Sequence, residues 1–286
     1  MRVLLTGAGG QVGRAILKLA PANASVIGLG RAELDIADDV SVGMQISALR
    51  PDIIVNAAAY TAVDRAEAEP EAAHRTNARA PGVLAMAAAD CGAKLIQIST
   101  DFVFDGSASR PYPPDATPAP LSVYGRTKLE GEHAVRSILG DQSLILRTAW
   151  VYDGQGRNFL RTMLRIMAEQ ESVGVVADQV GSPTAAHSVA EAVWSLVSKA
   201  PQGGVFHWTD AGVASWYDFA VAIAEEASAR GLLRSAVRVT PIATDEYPTL
   251  ARRPAYSVLD KRATARILAL EQIHWRQRLR MVLREG

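Results

Sequence analysis

Short, unbroken apolar runs recur through the first half of the chain: Val3-Leu4-Leu5, Val26-Ile27-Gly28-Leu29, Ile53-Ile54-Val55, Lys94 to Ser99, and Leu144-Ile145-Leu146-Arg147. Runs this short, with little polar alternation, are expected of strands covered on both faces, as in a parallel sheet. Helical spacing fills the intervals, from a glycine-rich turn to Leu19, from Arg79 to Cys91, and from Thr127 to Ile138. Strand and helix in alternation predict right-handed crossovers, with ligands lying beyond the C-terminal ends of the strands. The fold class is therefore α/β, a Rossmann-type doubly wound parallel sheet.

After Arg147 the alternation loosens. Asn158-Phe159 opens a helical run to Glu169, Ser172 to Ala177 reads as a strand, and Ala185 to Lys199 is helical. Val205-Phe206-His207-Trp208 is a short strand, and Ser215 is placed to cap a helix through Arg230. The division expected is a dinucleotide-binding domain over 1–150 and a smaller, interleaved α/β substrate domain over 151–286. Elements at about 185–200 are expected to pack back on the first.

The 286 residues are enough for one large or two modest domains. Thirty basic and thirty acidic side chains leave no cationic excess for nucleic acid. One cysteine, Cys91, rules out an internal disulfide and a thiolate metal cluster, and reads as a small residue buried in a helix. The histidines, His74, His133, His187, His207 and His274, have no metal-ligand spacing. No apolar stretch reaches the length that spans a bilayer. Met1-Arg2-Val3-Leu4-Leu5 runs straight into glycine, which leaves no room for a secretory leader. A cytoplasmic protein with no membrane partner is expected.

Candidate chemistry begins at Gly7-x-x-Gly10-x-x-Gly13, between the first strand and first helix. Glycine there permits a tight turn and close approach of a phosphate, and the helix aims free N–H groups at it. Gly7, Gly10, Gln11 and Val12 are the cofactor candidates of this turn. At the end of the second strand, where an acidic residue usually meets the adenosine ribose, stand Gly30-Arg31. Without a carboxylate and with a guanidinium, NADPH is expected over NADH, which stays as the alternative. Asp35 and Ile36 are placed to flank adenine, and the small Ala57, Ala58 and Ala59 let the backbone pass close to a dinucleotide. Ser99 and Thr100 end the fourth strand on the same rim, as does Trp150 after the fifth, where it can pack on a sugar ring.

Tyr124 and Lys128 are four apart at the start of a helix, so both side chains can enter one space. A phenol titrates at about 10 in water, and a close cation favours the phenolate. A tyrosine tuned in this way can exchange a proton with a substrate oxygen. Arg253, in Arg252-Arg253-Pro254, is a candidate for a diphosphate, whose oxygens match an arginine fork.

Gly7-x-x-Gly10-x-x-Gly13, Thr100 and Tyr124-x-x-x-Lys128 stand in the order and spacing of the extended short-chain dehydrogenase/reductase family, which the chain resembles. The likeness extends to Asn56 through Asp64, Ser99 through Gly106, Arg147 through Tyr152, and Asp178 through Thr184, and so covers nearly the whole chain. It implies hydride delivery from NADPH to C4 of a 4-keto-6-deoxyhexose carried on dTDP. Tyr124 would then protonate the alkoxide, Lys128 would lower the phenol pKa and hold the nicotinamide ribose, and Thr100 would bond the carbonyl oxygen. Ser99 would join the cofactor set, and Thr61, Phe104 and Asn158 would join Thr100, Tyr124, Trp150 and Arg253 around the substrate. Some members hold Mg²⁺ between protomers through glutamates; the matching residues here are Ala15 and His187. The resemblance therefore implies no metal and a monomer or weak metal-free homodimer. Two alternatives stay open: another nucleotide-linked 4-ketosugar, or a non-catalytic NADP-binding module like the regulatory subunit of methionine adenosyltransferase.

Overall fold

The computed structural model describes residues 1–233 and 236–285. In chain order the first elements are β1 (Arg2–Thr6), α1 (Gln11–Lys18), β2 (Ser25–Leu29), α2 (Asp39–Leu49) and β3 (Ile53–Asn56). Next come α3 (Val63–Ala68), α4 (Pro70–His74), a π-helical turn at Arg75–Arg79, α5 (Ala80–Cys91), β4 (Lys94–Thr100), α6 (Val123–Leu139) and β5 (Ser143–Thr148). The remainder comprises β6 (Val151–Tyr152), α7 (Phe159–Glu169), β7 (Ser172–Val176), β8 (Val180–Gly181), β9 (Thr184–Ala185), α8 (Ala186–Lys199) and β10 (Gly204–His207). It ends with β11 (Ala214–Ser215), α9 (Trp216–Ser228), β12 (Arg238–Ile242), α10 (Arg262–Leu268) and α11 (Trp275–Glu285).

Six strands form one parallel sheet in the order β10-β5-β4-β3-β1-β2. Successive side chains of a strand point to opposite faces. Val3, Leu5, Ile96 and Leu144 accordingly pack on one side with Ile16 of α1 and Val189 and Val193 of α8. Leu4, Ile54, Leu95 and Ile145 pack on the other with Ile46 of α2, Leu84 of α5 and Val135 of α6. Each such aliphatic side chain taken out of water contributes about 1.5–3 kcal/mol, so both helical layers are held to the sheet. This is the doubly wound Rossmann-type α/β fold. A third core unites Leu160 and Met163 of α7, Phe219 and Ile223 of α9, and Leu279 of α11.

Several elements differ from the sequence expectation, among them α2, α6 and β10. Helix α2 was not expected, because its apolar signal is split: Val42 and Ile46 face the core while Val40 and Met44 are 71% and 70% exposed. It starts where Asp38 accepts the Ser41 N–H at 3.2 Å. Helix α6 begins at Val123, four residues before the expected Thr127, because Ser122 accepts the Gly125 N–H at 3.1 Å. Tyr124 is thereby inside the helix. Strand β10 adds to the edge of the main sheet beside β5, with His207 opposite Arg147, so part of the chain beyond residue 151 belongs to the first sheet.

Candidate active site

Strand order reverses between β1 and β3, and that gap is where doubly wound sheets take dinucleotides. Gly7 follows β1 with φ +70°, and a Cβ there would lie 2.5 Å from the Ala58 nitrogen. The turn thus rests directly on the end of β3, which accounts for glycine on one side and Ala57-Ala58 on the other. Helix α1 starts after Gly10 with no side-chain cap and no acidic residue in its first turn. Its opening N–H groups are left to an anion, so this cradle fits a diphosphate. Among the other candidates there, Gln11 Oε1 accepts from Asn158 Nδ2 at 2.8 Å, and Val12 packs on the core. Buried Asn56 supports the rim by accepting from Thr6 Oγ1 at 2.6 Å and donating to Gln97 Oε1 at 2.8 Å. Ala59 stays half-buried beside it.

At the end of β2 two expectations are corrected. A carboxylate is present after all: Glu33 folds back so that Oε2 accepts the Gly30 N–H at 2.8 Å. Ile36 is only 3% exposed within the core formed by Leu4, Leu34 and Val42, so its side chain cannot flank a base. Arg31 is on the surface and ion-pairs with Asp35 at 3.5 Å.

The wall opposite the glycine turn is built by β4 and α6. Gly125 brings them together, since a Cβ there would come within 2.2 Å of the Phe102 carbonyl oxygen. Thr100 accepts the Phe102 N–H at 3.2 Å and donates to Asp101 Oδ1 at 3.1 Å. Burial pushes the Tyr124 phenol up to about 12; the Thr100 hydroxyl pulls it down and Asp101 adds to the rise. The Tyr124 ring also meets Phe102 edge-on at 5.7 Å. Lys128 is 4% exposed and donates from Nζ to the Ile98 carbonyl at 2.6 Å. Burial brings its pKa down to about 8, opposed by Glu132. The expectation that Lys128 lowers the phenol is not met: burial raises Tyr124, and the group that favours its phenolate is the Thr100 hydroxyl, while Lys128 uses one of its three N–H groups on the Ile98 carbonyl. Thr100, at the end of β4, and Tyr124, in the first turn of α6, thus belong to two elements held in close contact, with Lys128 one turn further along the same helix.

Two carboxylates outside the expected site residues also belong to this wall. Asp101 is 2% exposed, its Oδ2 has no partner, and burial raises it to about 6 against the hydroxyls of Ser257 and Thr100. Glu132, four residues past Lys128 on the same helical face, was detectable by spacing. It accepts from the Ser99 hydroxyl and from Arg147 through Nε at 2.9 Å and Nη2 at 2.6 Å. Ser99 thus spends its hydroxyl proton on Glu132 and keeps only acceptor capacity there. Thr148, level with Thr100 on the neighbouring strand, keeps a buried hydroxyl without a partner.

The substrate candidates are spread more widely. Phe104 is corrected to a core residue: it is fully buried, stacked on Tyr112 at 4.2 Å, with the Arg147 guanidinium 5.2 Å above its ring. Trp150 has φ +48° and stacks face to face on Trp216 at 3.5 Å, so one face of its indole is already covered. Asn158 caps α7 by accepting the Arg161 N–H at 3.0 Å, while its amide bridges to Gln11 and Asp153. Arg253 is bound through both Nη atoms to Asp64, at 3.1 and 2.6 Å, so its charge is already matched. Thr61 is exposed. Ala15 and His187 line one pocket of about 300 Å³, and His187 pairs with Glu191 at 3.4 Å. No group of three or more metal-ligating side chains occurs among the described residues.

The family model for the RmlD substrate binding domain matches residues 1–286. The chain is 40% identical over 288 residues to a dTDP-4-dehydrorhamnose reductase of Aggregatibacter actinomycetemcomitans, covering 98% of each. A crystal structure of a dTDP-4-dehydrorhamnose reductase from Clostridium acetobutylicum superposes with a TM-score of 0.92 at 39% identity, over 100% of this chain and 99% of that one. Another, from Bacillus anthracis in complex with NADP, does so with 0.93 at 35% identity, over 100% and 99%.

Proposed function

The chain belongs to the RmlD substrate binding domain family, and from that membership we propose that it reduces the C4 ketone of dTDP-4-dehydro-L-rhamnose to dTDP-L-rhamnose with NADPH. The observation that carries the reading is that Thr100 ends β4 on the same rim of the parallel sheet as the Gly7 turn, with Gly125 seating the start of α6, and so Tyr124, against the turn that follows Thr100.

A bound reduced nicotinamide supplies hydride to C4 of the sugar. Gly7, Gly10 and the first N–H groups of α1 hold the diphosphate, and Ala57 and Ala58 let the dinucleotide lie close to the sheet. Thr100 orients the carbonyl oxygen, its own hydroxyl set by the Phe102 N–H and Asp101. Tyr124, pushed up to about 12, is protonated throughout the physiological range and so is ready as an acid. An alkoxide is a stronger base than even this phenolate, so the proton moves to the C4 oxygen as the alkoxide forms. Lys128, anchored on the Ile98 carbonyl, holds the ribose. Trp150, stacked on Trp216 and with Gly181 pressed against its indole, would offer the sugar an edge and not an open face. Arg253, neutralised by Asp64, braces the segment around Ala251 rather than acting as a free cation.

The test is NADPH oxidation on adding dTDP-, UDP- and GDP-linked 4-keto-6-deoxysugars in parallel. Turnover with the dTDP-linked L-lyxo ketosugar above the others supports the assignment. Preference for another nucleotide ketosugar would move the substrate, and tight NADPH binding without turnover on any would match a non-catalytic module.

A further inference from the structure

We propose that Glu33 sets the balance between NADPH and NADH, by keeping a carboxylate against the Gly30 N–H where the 2′ substituent of the adenosine ribose has to lie. The inference rests on the reading of the glycine turn as a nicotinamide dinucleotide site.

The placement follows from the backbone. Ala8 N–H donates to the Leu29 carbonyl at 3.1 Å, which ties the glycine turn edge to edge with the end of β2. Gly30 is the next residue, and in a doubly wound sheet this position meets the adenosine ribose. An acidic side chain there accepts a hydrogen bond from a 2′-hydroxyl, and an arginine nearby pairs with a 2′-phosphate. This chain carries both kinds of group within four residues. Glu33 Oε2 sits 2.8 Å from the Gly30 nitrogen, so close that a Cβ on Gly30 would lie 2.8 Å from the same oxygen. Arg31 is 89% exposed and pairs only loosely with Asp35, at 3.5 Å. Two carboxylates and one guanidinium leave the spot one negative charge in excess. A 2′-phosphate meets repulsion from Glu33 and attraction from Arg31; a 2′-hydroxyl meets an acceptor and no repulsion.

A purely local role competes with this. Glu33 and Leu34 both donate to the Gly30 carbonyl, at 3.2 and 2.9 Å, so Glu33 also closes a turn in the manner of a capping carboxylate. Glutamine at that position keeps the acceptor and removes the charge, which separates the two roles.

Dissociation constants for NADPH and NADH are measured on the full chain by the fluorescence of the bound reduced nicotinamide, for wild type, Glu33→Gln and Arg31→Ala. Glu33→Gln should tighten NADPH about three- to tenfold, the size of one nearby exposed charge, and change NADH less than about twofold. The gain should shrink at high salt. Arg31→Ala should weaken NADPH and spare NADH. An unchanged NADPH to NADH ratio in Glu33→Gln, with a wild-type melting curve, would leave only the turn-closing role and overturn the proposal. A wild type that binds neither coenzyme would sink the dinucleotide reading, and the proposal with it.

Discussion

Two regions of the molecule each bury an aspartate raised to about 6 and a lysine lowered to about 8: Asp101 and Lys128 at the β4–α6 wall, and Asp210 and Lys261 beyond β10. Burial is the leading cause in all four. In the second region the opposite charges face each other. Asp210 and Lys261 offset each other's burial, Asp210 Oδ2 accepts the Ala185 N–H at 2.9 Å, and Lys261 donates to Thr209 Oγ1 and the Asp210 carbonyl. At the wall they are kept apart. Asp101 faces a phenol and leaves one oxygen unpartnered, while Lys128 faces a backbone carbonyl. A displaced pKa therefore does not by itself mark a working site, because structural networks displace pKa values too. The mark is a displaced group whose hydrogen-bonding capacity is left open on a ligand rim.

Substitutions can break that contrast, and the largest effect belongs to Tyr124→Phe. It should lower kcat about 10²–10⁴-fold with NADPH binding kept, as loss of a general acid does. Wild-type-like turnover would remove the wall from the chemistry. Lys261→Met comes next. Taking one partner from a buried charged network should lower the free energy of unfolding by about 3–5 kcal/mol, read from urea titrations. Its kcat per folded molecule should stay near wild type, whereas Lys128→Met should do the opposite. Equal activity losses in both would erase the distinction.

The third test uses pH. The folded protein holds the Asp101 proton more tightly than the unfolded chain does. Between 3.8 and about 6 it therefore binds more protons, and this group's contribution to stability falls as pH rises through that window. The loss is about 3 kcal/mol. Asp101→Asn should remove it, so that the stability curves of wild type and variant diverge from pH 4 to 6.5; parallel curves would place Asp101 in water. Smallest is Thr148→Val. Replacing an unpartnered buried hydroxyl by a methyl of similar shape should raise stability by no more than about 1 kcal/mol, seen as a small rise in Tm. A clear drop would reveal a partner for that hydroxyl.

Much of the frame was legible because it is local. Buried parallel strands announce themselves as apolar runs, and the glycine turn, Thr100 and the Tyr124–Lys128 spacing all lie within a few residues of an element end. What escaped depends on distance or on direction. Phe104 lies four residues past Thr100, and only the fold shows its ring turned into the core against Tyr112 instead of toward the rim. The partner of Arg253 is Asp64, from the opposite half of the chain. Strand β10 looks like any short apolar strand until β5 is found beside it. Glu33 reads as a residue of a surface turn, and nothing in its spacing says that the side chain reverses onto Gly30.

The missing side chain of Gly125 has a kinetic consequence. With α6 pressed onto the Phe102 carbonyl, the Thr100 and Tyr124 hydroxyls are carried by one stiff unit instead of by a loop that must settle before reaction. In the reaction proposed above, little freedom would remain for them to lose on the climb to the barrier. The temperature dependence of the chemical step should then be governed mainly by its activation enthalpy, with a small activation entropy.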